Sequence, residues 1–196
     1  MKKLNELRYF FDKNNGVATS QELLCFGLTH YLIAQLVKNG TLERIKRGTF
    51  ILGDSEEDEH YIAQKIVPQS IFCLLSAASI YNYTTYIPNQ YHLAIRGNYY
   101  SQLPDYPPIQ LYYWRKKQFE LGTAEMTLNN STIRIYNKEK TVCDFIRFRN
   151  KLDSNVVKEV LKSYLKDKYR NLTQLNNYSK KLRIESVLNN YLEILL

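Results

Sequence analysis

Residues 19–52, TSQELLCFGLTHYLIAQLVKNGTLERIKRGTFIL, decide how this chain folds. Thr19 is a helix-capping residue, and Glu22 stands three positions on. That is the spacing of a capping box, in which hydroxyl and carboxylate each satisfy a backbone N–H at the helix start. Leu23, Leu24 and Phe26 give the turns that follow an apolar side. Gly27 offers the positive φ that a helix C-terminus favours, and Thr29 caps a second helix two residues later. In that helix Leu32, Ile33, Leu36 and Val37 recur at steps of one, three and four, a stripe expected to face the core. The same spacing turns Thr29, His30, Tyr31, Ala34, Gln35 and Lys38 to solvent, and Gly40 stops the helix. Leu42, Ile45, Phe50 and Ile51 are strand formers, and Lys46-Arg47-Gly48 supplies a turn with its glycine. Two helices joined at a tight glycine turn, then a hairpin with a basic tip, make a winged helix-turn-helix.

That shape points to double-stranded DNA. A recognition helix lays its N-terminal side chains against base edges in the major groove, and a basic wing reaches the neighbouring backbone. The candidate contacts are Thr29, His30, Tyr31, Gln35 and Lys38 in the helix, with Arg44, Lys46 and Arg47 in the wing. Gln35 suits adenine, and a lysine or arginine suits guanine or phosphate. The competing reading is a small helical domain whose polar face is merely hydrated.

The rest of the composition fits the first reading. The 196 residues include 27 Lys and Arg against 19 Asp and Glu, a formal net charge of +8. Such an excess favours an acidic partner, nucleic acid ahead of a membrane surface. No apolar run is long enough to span a bilayer. The opening MKKLNELRYFFDKNN carries charges inside its apolar part and does not read as a signal peptide, so a cytoplasmic location is expected. Cys25, Cys73 and Cys143 are dispersed, without metal-ligand spacing, and read as reduced, mostly buried thiols. The 17 tyrosines fit the codon bias of an A+T-rich genome better than a stacking platform for single strands.

The length predicts two domains, a DNA-binding domain over residues 1–56 and an α+β domain over 57–196. Leu4, Leu7, Phe10 and Phe11 predict a first helix near residues 3–13. After Leu52 the acidic run GDSEEDEH reads as a linker leading into a helix through Tyr61, Ile62, Ile66 and Val67. Ile71–Leu75 is a short apolar run, and Ser76 is placed to cap a helix through Tyr83. Strands are expected at residues 91–95, 109–114, 118–121, 125–128 and 132–136, with Asn129-Asn130 as a hairpin turn. Short connections predict a mixed, mostly antiparallel sheet. Helices follow, the first capped by Asn137 and the second by Asp153. Between Arg134 and Arg183 stand fourteen Lys and Arg against five Asp and Glu, and part of that basic surface is expected to follow DNA flanking the operator.

Catalytic chemistry finds no footing in this pattern. There is no Glu-x-Lys of the restriction-nuclease type, no Gly-Ser with paired Asp-x-Asp, and no glycine-rich phosphate loop. His30, His60 and His92 are too scattered for a zinc site or a nucleophile pair. A protein without enzymatic activity, metal or cofactor is expected.

Beyond the winged helix, the segments LLSAASIYNYT, YHLAIRGN and above all IRIYNKEKTVCDFIRFRNKLD (residues 133–153) resemble the AbiEi family of antitoxins from bacterial abortive-infection, phage-resistance systems. The family's wording in the last segment is a strand, then Glu-Arg/Lys-Thr, a small or apolar pair and Asp. Glu139, Lys140, Thr141, Val142, Cys143 and Asp144 follow it. The resemblance implies an autorepressor that binds inverted repeats in its own promoter. It also implies a second domain that counteracts a nucleotidyltransferase-like toxin without a stable complex. Glu139, Lys140, Thr141, Asp144 and Arg147 are the candidates for antitoxin function, although the same residues also read as an ordinary dipole-and-salt-bridge arrangement. No heptad seam demands a dimer, so a monomer in solution is expected, filling inverted half-sites cooperatively or as a dimer. The alternative is an ordinary winged-helix regulator whose second domain senses a ligand or partner.

Overall fold

The computed structural model describes residues 2–14, 16–53, 58–97, 103–128 and 131–195. By contacts the chain divides into two units, one holding residues 1–68 with 101–108 and 127–133, the other 69–100, 109–126 and 134–196.

In the first unit α1 (Lys2–Lys13), β1 (Val17–Thr19), α2 (Ser20–Cys25), α3 (His30–Lys38), β2 (Leu42–Lys46), β3 (Thr49–Leu52) and α4 (Glu59–Ile66) follow in order. Thr19 caps α2 in a complete capping box with Glu22, which fixes where the helix-turn-helix begins. The turn out of α2 has Gly27 at φ 97°. Leu28 N–H bonds the Leu23 carbonyl and Gly27 N–H that of Leu24, the paired closure that a left-handed residue after a helix allows. Thr29 Oγ1 then accepts the Leu32 N–H at the start of α3. Leu7, Phe11, Leu23, Ile33, Leu42, Phe50 and Leu52 form the core, with Leu36 and Val37 against it. Leu32 departs from the expected stripe. It is exposed, because the helix meets the core through Ile33, Leu36 and Val37, and Leu32 lies to one side of that row.

The wing sheet has three strands in the order β1-β3-β2. β1 escaped the sequence reading because three residues, VAT, are too few to show alternation. Its pairing puts Thr19 opposite Thr49, and Ser20 N–H bonds the Gly48 carbonyl, so the wing turn is tied to the start of α2. α4 belongs to this first unit by contacts. Asp58 caps it, while Asp54–Glu57 of the acidic run lie outside the described residues.

A five-stranded sheet, most of whose residues fall in the second unit, has the order β6-β5-β4-β8-β7, from β4 (Ile71–Phe72), β5 (Tyr91–Arg96), β6 (Ile109–Trp114), β7 (Thr123–Leu128) and β8 (Ser131–Tyr136). The α+β class stands, but strand direction needs correction. β4 pairs antiparallel with β5, whereas β4 with β8 and β5 with β6 are parallel. Residues 97–108 make a connection of about a dozen residues between β5 and β6, enough for a parallel crossover. The expected turn at Asn129-Asn130 lies outside the described residues.

Two further expectations change. Residues 118–121 form no strand, since Lys116–Phe119 make the short helix α6. Helix α5 (Leu74–Ile80) begins after Cys73, so Ser76 lies inside it, and its buried Oγ accepts the His92 N–H at 2.8 Å. That hydroxyl satisfies a sheet donor rather than a helix end.

Helices α7 (Lys138–Arg147), α8 (Ser154–Lys166), α9 (Leu172–Lys181) and α10 (Glu185–Leu195) complete the unit. α7 contacts α5, α8, α9 and α10, and every side chain from Glu139 to Ile146 is buried. Gly122 sits against its first turn at φ 72°, where a Cβ would stand 2.5 Å from that of Lys140. Only glycine fits both that space and that backbone.

Candidate nucleic-acid interface

The polar face of α3 comes out as its spacing requires. Thr29, His30, Tyr31, Ala34, Gln35 and Lys38 are all exposed, with Tyr31 at 71%. Tyr31 and Gln35, one turn apart, are linked, the Gln35 amide donating to the Tyr31 hydroxyl at 3.2 Å. This bond holds the amide in a defined orientation, which a bidentate base contact requires. Thr29 contributes its cap, and its backbone begins the helix whose N-terminal dipole favours phosphate. His30 opens the helix and Lys38 closes it.

The wing splits its three cations into two kinds. Arg44 is exposed and lies over the Phe50 ring with 5.4 Å between guanidinium carbon and ring centre, which fixes its stem. Arg47 is exposed at the turn. Lys46 differs. The register shifts between Arg44 and Lys46, a bulge that buries Ile45 and re-aims the next side chain. The Lys46 ammonium donates to the Ile66 carbonyl at 2.8 Å. That carbonyl is the last of α4, where a cation meets the negative end of the helix dipole. Of the three, Arg44 and Arg47 remain as the exposed wing cations.

The candidate antitoxin residues lie elsewhere, in α7, and the structure brings them together. Lys140 and Asp144 form an ion pair at 2.5 Å with both side chains fully buried. The ammonium stands 3.9 Å from the centre of the Trp114 ring and 4.1 Å from that of Tyr136. Burial pushes Lys140 below its ordinary pKa against the pull of Asp144. Burial likewise pushes Asp144 up against Lys140 and Arg147. Thr141 Oγ1 donates to the Tyr136 carbonyl. Glu139 accepts from the Tyr164 hydroxyl at 3.2 Å and from the Asn171 N–H at 3.1 Å, pinning α8 and the start of α9. Arg147 alone approaches the surface, its Nη1 donating to Asp144 Oδ1 at 3.0 Å. Four of the five are therefore enclosed in the core, and their pattern is accounted for by packing and polar satisfaction.

Sequence reasoning missed this aromatic enclosure because Trp114, Tyr136 and Lys140 come from three elements. The one available signal was the chain's single Trp. It also missed Asp167, whose Oδ2 accepts from both Tyr83 Oη and Lys138 Nζ at 2.6 Å. On α8, Lys158, Lys162 and Lys166 are exposed at four-residue steps. Cys73 and Cys143 are buried as expected, whereas Cys25 is exposed. Among the described residues no His, Cys, Asp and Glu group is arranged to hold a metal ion. No described helix is long and apolar enough to cross a membrane.

With this geometry in place, residues 5–53 match the family model described as transcriptional regulator, AbiEi antitoxin. The match covers most of α1, all of α2 and α3 and the wing, about a quarter of the chain, and stops before α4, so it bears on the winged helix and not on residues 133–153. A search of curated proteins finds no match.

Proposed function

We propose, with the AbiEi match of the winged helix as premise, that this protein is an antitoxin and autorepressor. It binds inverted repeats in its own promoter, with α3 in the major groove and the wing on the adjoining backbone. The observation that carries this reading is the exposed face of α3, with Tyr31 and Gln35 bonded to each other and Arg44 and Arg47 exposed in the hairpin beyond it. Specific base contacts belong to Gln35, Tyr31 and His30. Thr29, Lys38, Arg44 and Arg47 take phosphate, and Lys46 shapes the wing from within.

The second unit opposes a nucleotidyltransferase-like toxin without a stable complex, and no catalytic step is assigned to it. Since Glu139, Lys140, Thr141 and Asp144 are buried, they act by maintaining the domain, and the surface that opposes the toxin lies outside them. The protein acts in the cytoplasm as a monomer that fills paired half-sites cooperatively. Co-expression with the neighbouring toxin gene tests the antitoxin role. Restored growth is expected, and continued growth arrest with the protein present and folded would overturn it.

A further inference from the structure

The second unit carries a cleft of about 470 Å³ between β6 and the end of α7, within the size range of small-molecule sites. Its chemistry is one-sided. Arg147 and Lys151 stand in its wall, Gln110 and Gln118 add amides, and no carboxylate is among its lining residues. Arg147 is held in place by the 3.0 Å bond to Asp144, which is itself fixed by Lys140. One face of the guanidinium is thereby anchored while its side chain retains 18% exposure. Lys151 lies over the Phe148 ring, 5.8 Å from its centre.

Tyr112, Trp114 and Phe148, on one side of β6, give this cleft flat apolar walls. Trp114 lies at the back of the cleft, 3% exposed.

We propose that this cleft binds a small phosphorylated ligand bearing a flat ring, of the nucleotide class. Its phosphates meet Arg147 and Lys151, and its ring lies against the aromatic wall. The site belongs to the second unit and is independent of the DNA-binding assignment. It gives the second unit an effector input of the kind a ligand-sensing regulator requires.

The chain's single Trp reports on the site directly. The full-length protein is titrated with ADP, adenosine and inorganic pyrophosphate, following Trp114 emission with red-edge excitation and confirming by calorimetry. ADP is expected to give a saturable change, with adenosine and pyrophosphate each at least about tenfold weaker, since each supplies half of the contacts. Lys151→Glu, an exposed position, is expected to weaken ADP by about tenfold or more, with circular dichroism unchanged. Arg147→Gln is expected to do the same, and Lys151→Glu keeps the test decisive should the loss of Arg147 unsettle α7. Absence of saturable ADP binding in the millimolar range, unchanged binding by Lys151→Glu, or pyrophosphate binding as tightly as ADP would each overturn the assignment.

Discussion

Lys46 Nζ donates a 2.8 Å hydrogen bond to the Ile66 carbonyl, so the basic residue at the end of the first wing strand closes the C-terminus of α4. A charge-assisted bond of this kind contributes about 1.5–3 kcal/mol where it is shielded from water, and less at a half-buried position such as this. Lys46→Ala is therefore expected to lower stability by about 1 kcal/mol in urea unfolding. It should leave the salt dependence of DNA binding nearly unchanged. Arg47→Ala should do the reverse, weakening all DNA sequences and lowering the log–log salt slope by about one. A Lys46→Ala slope that fell as far as that of Arg47→Ala would return Lys46 to the phosphate contacts.

The legible and illegible parts of this molecule separate on physical grounds. The capping box at Thr19 and Glu22, the turn at Gly27 and the cap at Thr29 are local, fixed by neighbours a few residues apart, and the sequence displays them. Lys46 looks like any wing cation until α4 is placed beside it. The burial of helix α7 was illegible for a similar reason: four other helices enclose it, so that polar residues which in sequence read equally as a dipole-and-salt-bridge arrangement lie in the core. Parallel pairing of β5 with β6 was hidden in a proline-containing connection, and the cleft at Trp114 is assembled from two segments, residues 110–118 and 147–152, that are far apart in the chain.

Gln35 is expected to read a base. Gln35→Ala should cost about 1–3 kcal/mol on the preferred operator and relax the preference at one position only. Tyr31→Phe removes the hydroxyl that orients the Gln35 amide and should relax the same position more weakly. Binding measured across a library of single base changes separates the two. Relaxation at unrelated positions would show that the pair does not act together.

The Lys140–Asp144 pair predicts a non-additive mutant cycle. Asp144→Leu alone leaves a buried ammonium among aromatic rings and should destabilise by about 3–5 kcal/mol. Lys140→Met with Asp144→Leu removes both charges and should recover most of that loss. Denaturant unfolding of the single and double variants checks this. A double variant as unstable as the sum of the singles would mean that the ion pair is not the coupled unit the geometry indicates.

His92 predicts an acid-sensitive window. Burial pushes its imidazole from the ordinary 6.5 down to about 4, and its Nδ1 lies 2.8 Å from the Tyr112 hydroxyl. Its folded pKa lies below its unfolded one, so the unfolded chain takes up the proton first as pH falls. Stability from this group is full above about pH 6.5, declines through the interval below it, and levels off near pH 4. The loss amounts to roughly 3 kcal/mol at about 1.4 kcal/mol per unit. Urea unfolding at pH 7 and pH 4.5 should show a smaller difference in His92→Gln than in the parent protein. An equal difference would place the acid sensitivity elsewhere.

The central claim is that the winged helix reads a specific duplex. It is tested most directly by a mobility shift of the full-length protein on its own upstream DNA, with a scrambled competitor at fixed salt. The predicted result is binding tighter than to scrambled DNA by about a thousandfold or more, reduced toward the scrambled level by Gln35→Ala. Binding no tighter than to the scrambled sequence would contradict operator recognition and autorepression together.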